Sequence, residues 1–137
     1  MIKEKDSLFN KKKTLNCQGK LITLNSPVIM GILNLTPDSF YDGGRYPDTE
    51  KILARVEQIL SEGGLIVDIG AYSSRSGAEH ITEEEELKRL IPALKEITSH
   101  FPNLILSVDT FRSGVAKKVV DDFGVSIIND ISAGNMD

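Results

Sequence analysis

Four short, nearly unbroken apolar runs constrain this chain more than anything else in it. They are SPVIMGILN (26–34), GLIVDIGA (64–71), NLILSVDT (103–110) and GVSIIND (124–130). Each has strand length and is rich in valine and isoleucine, so each reads as a β-strand. Their continuity predicts a parallel sheet buried on both faces, because a sheet with one wet face alternates apolar and polar residues. Helical patterns separate the runs. Residues 48–62 place Ile52, Val56, Ile59 and Leu60 on one face, and Gly63-Gly64 ends that helix. Residues 82–99 open with Thr82 and Glu85 at capping-box spacing. The acidic run Glu83–Glu86 then lies near the positive end of the helix dipole and reads as a solvated face. Residues 113–122 start at Ser113, a natural N-cap, and Gly124 closes the segment.

Upstream, TLNCQGKLITLN (14–25) predicts a small hairpin turning at Gln18-Gly19, where glycine supplies the positive φ of a tight turn. Residues 1–13 carry charge but no hydrophobic segment of signal-peptide type, and read as a flexible tail before a single domain at 14–137. The order is a β-hairpin, three βα units and a fourth strand, which is an α/β fold.

Bulk properties exclude several classes. With 137 residues and a net charge of -4, the chain is large enough for one core and has no basic field for nucleic acid or an anionic membrane. No apolar run is long enough to span a bilayer. The single cysteine, Cys17, forms no internal disulfide, reads as inert and suits a reducing cytoplasm.

A doubly wound sheet and a (β/α)8 barrel both fit the order of elements. Asn34, Asp68, Asp109 and Asn129 each fall at or near a strand end, followed by a polar, glycine-bearing or helix-capping stretch. Polar groups at successive strand ends are what a barrel requires, since its βα loops converge on one rim. A doubly wound sheet would concentrate them at one switch point. A whole barrel takes about 250 residues, so the expectation is the first half of a TIM-type barrel, strands one to four.

Four motifs in one order then carry a resemblance. GILNLTPDSFYDGG (31–44) is similar to the first loop of the dihydropteroate synthase family, and DIGAYSSRSGA (68–78) to its second. SVDTFR (107–112) and NDISAG (129–134) resemble the ends of its third and fourth strands. The hairpin also fits, because in that family it closes the bottom of the barrel. Methyltetrahydrofolate methyltransferases share the Asp and Asn strand ends but lack the first-loop motif. The resemblance implies a transferase of folate biosynthesis that joins 6-hydroxymethyl-7,8-dihydropterin pyrophosphate to p-aminobenzoate. It is the enzyme class that sulfonamides inhibit.

That chemistry needs little base, since the aryl amine is neutral and nucleophilic at pH 7. It needs negative charge stabilised on the leaving pyrophosphate, which Mg²⁺ does as a hard Lewis acid. The resemblance gives Asn34 to that metal; the plainer alternative is a strand-end residue bonding its own backbone. Asp38 and Asp42 can face the metal, a lysine or the forming cation, or Asp38 can make a local Asx turn with Ser39. Phe40 can wall off the p-aminobenzoate ring and exclude water. Pro37 stiffens the loop and Gly43-Gly44 lets it fold back before the helix. Ser73, Ser74 and Arg75 suit pyrophosphate or p-aminobenzoate contact, with a surface ion pair as the alternative for Arg75. Ser76 stands where the family usually has proline, which puts sulfonamide sensitivity in question.

Asp109 and Asn129, one strand–helix unit apart, can match the donors and acceptors of a pterin, with Ile131 packing on the ring. Asp68 reads as more structural than catalytic. His80 and His100 lie outside the motifs and are expected to be exposed. In the family, the carboxylate that holds the pterin most directly, a lysine, an arginine–histidine pair and the p-aminobenzoate carboxylate pocket come from the second half of the barrel. This chain alone is therefore expected to be inactive, and its open edges to favour self-association. A half-length non-catalytic pterin-binding or scaffold protein is the competing reading, and a methyltetrahydrofolate methyltransferase pterin domain is a third.

Overall fold

A computed structural model describes residues 14–35, 40–42, 46–72 and 80–137, with the backbone alone for Tyr41, Asp42 and Tyr46. The strands are β1 (Thr14–Cys17), β2 (Lys20–Thr23), β3 (Ile29–Asn34), β4 (Tyr41–Asp42), β5 (Tyr46–Pro47), β6 (Gly64–Gly70), β7 (Ile105–Asp109) and β8 (Ile127–Asn129). Among the described residues the helices are α1 (Thr49–Ser61), α2 (Glu83–His100) and α3 (Ser113–Phe123). The four predicted strands pair in parallel in the order β3-β6-β7-β8. That order follows the chain without reversal, as in a barrel wall and unlike a doubly wound sheet.

Parallel register sorts the side chains into two faces. Leu33, Val67, Ile69, Leu106 and Val108 join one core cluster with Ile52, Val56 and Ile59 of α1, Leu90, Leu94 and Ile97 of α2, and Val115 and Val119 of α3. All three helices thus cover the same side of the sheet. Gly31 permits the approach of α1, since a Cβ there would lie 2.3 Å from the Ile59 side chain.

The opposite face carries successive rows. Met30, Ile66 and Ile105 lie in one row, and Ile32, Asp68, Ser107 and Ile127 in the next. Asn34, Gly70, Asp109 and Asn129 form the last, at the C-terminal strand ends. The hairpin β1-β2 turns at Gln18 (φ 53) and Gly19 (φ 82), as its sequence predicts. Its Cys17 and Ile22 bury Ile66 and Ile105 on this face, which puts the hairpin at the N-terminal end, away from the polar row.

Three expectations need correction. Burial on both faces fails for β3: Met30 and Ile32 are 41% and 56% exposed, since the hairpin packs on Ile66 and Ile105 of β6 and β7 and leaves β3 open, and Ile29 at the start of the strand is 59% exposed. The acidic run is not uniformly solvated, because Glu86 is wholly buried on the same stripe of α2 as Leu90, Ala93 and Ile97. Ser113 is not the N-cap of α3. Arg112 occupies that position without a side-chain cap bond, and the Ser113 N–H donates instead to the Asp137 carboxylate. The first loop also has local structure that its sequence did not announce: β4 and β5 pair antiparallel, Asp42 opposite Tyr46.

The capping signals elsewhere hold. Thr82 Oγ1 accepts from the Glu85 N–H at 3.2 Å, Asp48 caps α1 through the Lys51 N–H, and Gly124 ends α3 in the left-handed region. None of the described helices is long and apolar enough to cross a membrane.

Candidate active site

The polar row at the C-terminal strand ends brings together three of the predicted site residues. Asn34, Asp109 and Asn129 share one face, with Gly70 in register between Asn34 and Asp109. A Cβ at Gly70 would lie 3.3 Å from Asn34 Oδ1 and 3.7 Å from Asp109 Oδ2. The glycine therefore keeps a gap between an amide oxygen and a carboxylate that any side chain would fill. The strand ends are fixed from beneath: the Leu35 N–H donates to the Gly70 carbonyl at 2.7 Å, and the Thr110 N–H to the Asn129 carbonyl at 3.2 Å.

Beneath this row lies a buried polar chain. Asp68 is 3% exposed and Ser107 fully buried. The Ser107 hydroxyl donates to Asp68 Oδ1 at 2.5 Å, and Asn129 Nδ2 donates to Asp68 Oδ2 at 3.0 Å. Asp68 is thus tied into the framework, in keeping with its structural reading, and it contacts a residue of the site directly. Sequence reasoning gave Ser107 no role. The available signal was a hydroxyl inside an otherwise apolar strand, which needs a buried partner.

Asp109 is half-buried. Burial raises its pKa above the ordinary carboxylate value, and the charges of Asp68, Glu86 and Asp130 push the same way. A raised folded-state pKa means that ionising Asp109 costs folding free energy. Its contribution is neutral below the ordinary carboxylate range and becomes destabilising as pH rises through the raised value. Asp109→Asn is accordingly expected to stabilise the fold at pH 7 and to lose that advantage near pH 3. Urea midpoints at the two pH values check this; an Asp109→Asn variant less stable than the parent at pH 7 contradicts it.

Asp130 serves the adjacent turn. Its carboxylate accepts from the Ser132 N–H and hydroxyl and from the Gly134 N–H, and these bonds hold its pKa below the usual value. Ile131, expected on the ring face of a ligand, projects from this turn and is 82% exposed. Phe40 packs against the helix-side core cluster, and its carbonyl accepts from the Asp48 N–H at 2.7 Å. In this placement it anchors the loop. Asp38, Ser73, Ser74 and Arg75, with Pro37 and Ser76, lie outside the described residues, as does the side chain of Asp42.

A second cluster flanks the row and was not foreseen. Arg112 forms an ion pair with buried Glu86 and donates to the Ile81 carbonyl at 2.6 Å. Its guanidinium lies 4.7 Å from the Phe111 ring centre and 5.4 Å from that of Tyr72. Tyr72 meets the Phe111 and His80 rings edge-on, and its hydroxyl bonds His80 Nδ1. His80 and His100 are exposed, as expected.

Among the described residues no cluster of three or more His, Cys, Asp or Glu side chains could hold a metal. Asn34 offers a lone, exposed amide oxygen beside the Gly70 gap. Such a donor suits a hard cation that keeps most of its waters, as Mg²⁺ does.

Comparison with known proteins agrees with this geometry. Residues 30–137 match the family model described as pterin binding enzyme. The chain is 38% identical over 119 residues to a dihydropteroate synthase of Streptococcus pyogenes, covering 87% of this chain and 44% of that protein. It is 45% identical over 115 residues to a mitochondrial folate synthesis bifunctional protein of Arabidopsis thaliana, covering 82% of this chain and 21% of that one. Among solved structures, Xanthomonas albilineans dihydropteroate synthase with 4-aminobenzoic acid superposes with a TM-score of 0.79 at 40% identity, covering 90% of this chain and 45% of that one. The chain therefore spans less than half the length of these relatives, and its open four-stranded sheet corresponds to part of their barrel. On the family match and the strand-end residues together, the chain belongs to the pterin-binding enzyme family.

Proposed function

We propose that this chain contributes the pterin-facing wall of a dihydropteroate synthase. The single observation that carries the reading is the row Asn34–Gly70–Asp109–Asn129 on one face at the C-terminal strand ends. In the proposed reaction the amine of p-aminobenzoate attacks the methylene of 6-hydroxymethyl-7,8-dihydropterin pyrophosphate. A C–N bond forms, the C–O bond to pyrophosphate breaks, and the amine gives up a proton.

Asp109 and Asn129 hold and orient the pterin through its donors and acceptors. Asn34 would hold Mg²⁺, which when bound supplies charge stabilisation to the leaving pyrophosphate. Asp38, Asp42, Ser73, Ser74 and Arg75 are assigned to the loops that meet the pyrophosphate and p-aminobenzoate, with Phe40 and Ile131 as apolar contacts. A sulfonamide would compete for the p-aminobenzoate subsite. The free, buried Cys17 suits the cytoplasm as the compartment.

The isolated 137-residue chain is expected to show no turnover, since its sheet offers one wall of a site that needs ligand contacts on several sides. A chimera in which residues 14–137 replace the matching segment of the Streptococcus pyogenes synthase is expected to make dihydropteroate. In that chimera Asn34→Ala should lower kcat on the order of 10²-fold, with a smaller effect on binding of free pterin. A folded chimera without turnover, or an Asn34→Ala variant at full kcat, would overturn the assignment.

A further inference from the structure

We propose that Asp68, held by Ser107, is a positioning residue that fixes the side-chain amide of Asn129 with its oxygen toward the ligand. The amide orientation stands on geometry alone; only the identity of the ligand rests on the pterin reading.

Asn129 can present either end of its amide, and the two ends have opposite hydrogen-bonding character. Asp68 settles the choice. A carboxylate accepts and does not donate, so the Asn129 atom at 3.0 Å from Asp68 Oδ2 must be the nitrogen. The other carboxylate oxygen accepts from Ser107 at 2.5 Å. Ser107 is fully buried and Asp68 nearly so, so turning either away would leave a buried polar group unpaired. The backbone at Asn129 is held as well, since its carbonyl accepts the Thr110 N–H. With one Nδ2 hydrogen committed to Asp68, Oδ1 of Asn129 and the second Nδ2 hydrogen are left to the ligand, and the oxygen cannot be exchanged for the nitrogen.

Its register neighbour Asp109 is also an acceptor when ionised, and its carboxylate makes no hydrogen bond among the described residues. The pair reads a ligand edge with two adjacent donors, such as a ring N–H beside another N–H or an amino group. It disfavours an edge that places a lone pair against Asn129 Oδ1. Asp68 thus acts on specificity without touching the ligand, and Ser107 keeps Asp68 aimed.

The test uses the 15N-labelled 137-residue chain. At neutral pH one Asn129 side-chain proton is expected to exchange far more slowly than its geminal partner. In Asp68→Asn the new amide can donate to Asn129 Oδ1 and reverse it, so that asymmetry should vanish or change its chemical-shift pattern. Calorimetry with 6-hydroxymethyl-7,8-dihydropterin on the chimera with the Streptococcus pyogenes synthase should then show affinity falling roughly 10- to 100-fold when it carries Asp68→Asn, the scale of one mispaired buried hydrogen bond. Ser107→Ala, the milder change, should loosen the Asn129 signal and weaken binding by only a few-fold, and it keeps the test alive if Asp68→Asn fails to fold.

Two fast-exchanging Asn129 protons in the parent would overturn the proposal, as would unchanged Asn129 signals in both variants. A parent chain with a locked Asn129 amide, together with a folded chimera that has no affinity for the pterin, would support the positioning role while counting against the pterin reading. The two failures are therefore distinguishable.

Discussion

Arg112→Met is expected to destabilise the fold by roughly 3–5 kcal/mol, the cost of leaving a buried carboxylate without its partner. Glu86 is fully buried, and its Oε1 has no hydrogen-bond partner among the described residues. The other oxygen depends on Arg112, which is itself largely buried. Arg112 also bonds the Ile81 carbonyl and lies against the Tyr72 and Phe111 rings, so its loss would release contacts to the segments that follow β6 and β7.

Glu86→Leu alone should cost less, because the Arg112 guanidinium keeps a carbonyl and two ring faces and lies nearer to solvent. The double variant Glu86→Leu/Arg112→Met should recover most of the loss, since replacing a whole buried ion pair by apolar groups is often close to neutral. Urea unfolding at fixed protein concentration gives the three values, and their cycle gives the coupling. An Arg112→Met cost below about 1 kcal/mol, or a double variant as unstable as the two singles summed, would show that Glu86 is solvated in solution, as its sequence neighbours are.

The contrast between Glu86 and the strand ends shows what the sequence made legible. Asn34, Asp109 and Asn129 could be placed on one rim because strand ends in a βα repeat point the same way, whatever the packing above them. The hairpin, the Thr82 cap and the Gly124 stop were likewise local, each settled within a few residues. Glu86 was not. It is one of four consecutive glutamates, and its burial depends on an arginine 26 positions away. A helical-wheel argument offered the one clue, since Glu86 lies four residues before buried Leu90. The Ser107–Asp68–Asn129 chain spans 39 and 61 positions in its two bonds. Composition and motif spacing place those residues at strands; only register across three strands shows that they touch.

The second large effect concerns the sheet edges. We propose that the 137-residue chain, taken alone, self-associates at micromolar concentration. β3 and β8 stand at the two edges of the four-stranded sheet. β8 is short and contains neither proline nor charge, so it lacks the usual protection against pairing with another strand. On the face away from the helices, Met30 and Ile32 of β3 are substantially exposed, and Ile29 and Leu65 add apolar surface at the same end of the sheet. The hairpin covers Ile66 and Ile105 but leaves these residues open.

Two such sheets meeting through this face would bury apolar surface on both copies and could pair edge to edge, as the halves of a barrel do. Ile32 lies on the open face of edge strand β3, in register with Asp68, so Ile32→Glu tests that surface through a side chain alone and leaves the edge backbone as it is. Light scattering should give a mass above the monomer for the parent chain and a shift toward monomer for Ile32→Glu. A monodisperse parent monomer with a single cooperative unfolding transition would mean that the hairpin and three helices suffice to stabilise an open wall of four strands. Association unaffected by Ile32→Glu would place the contact elsewhere, at the β8 edge.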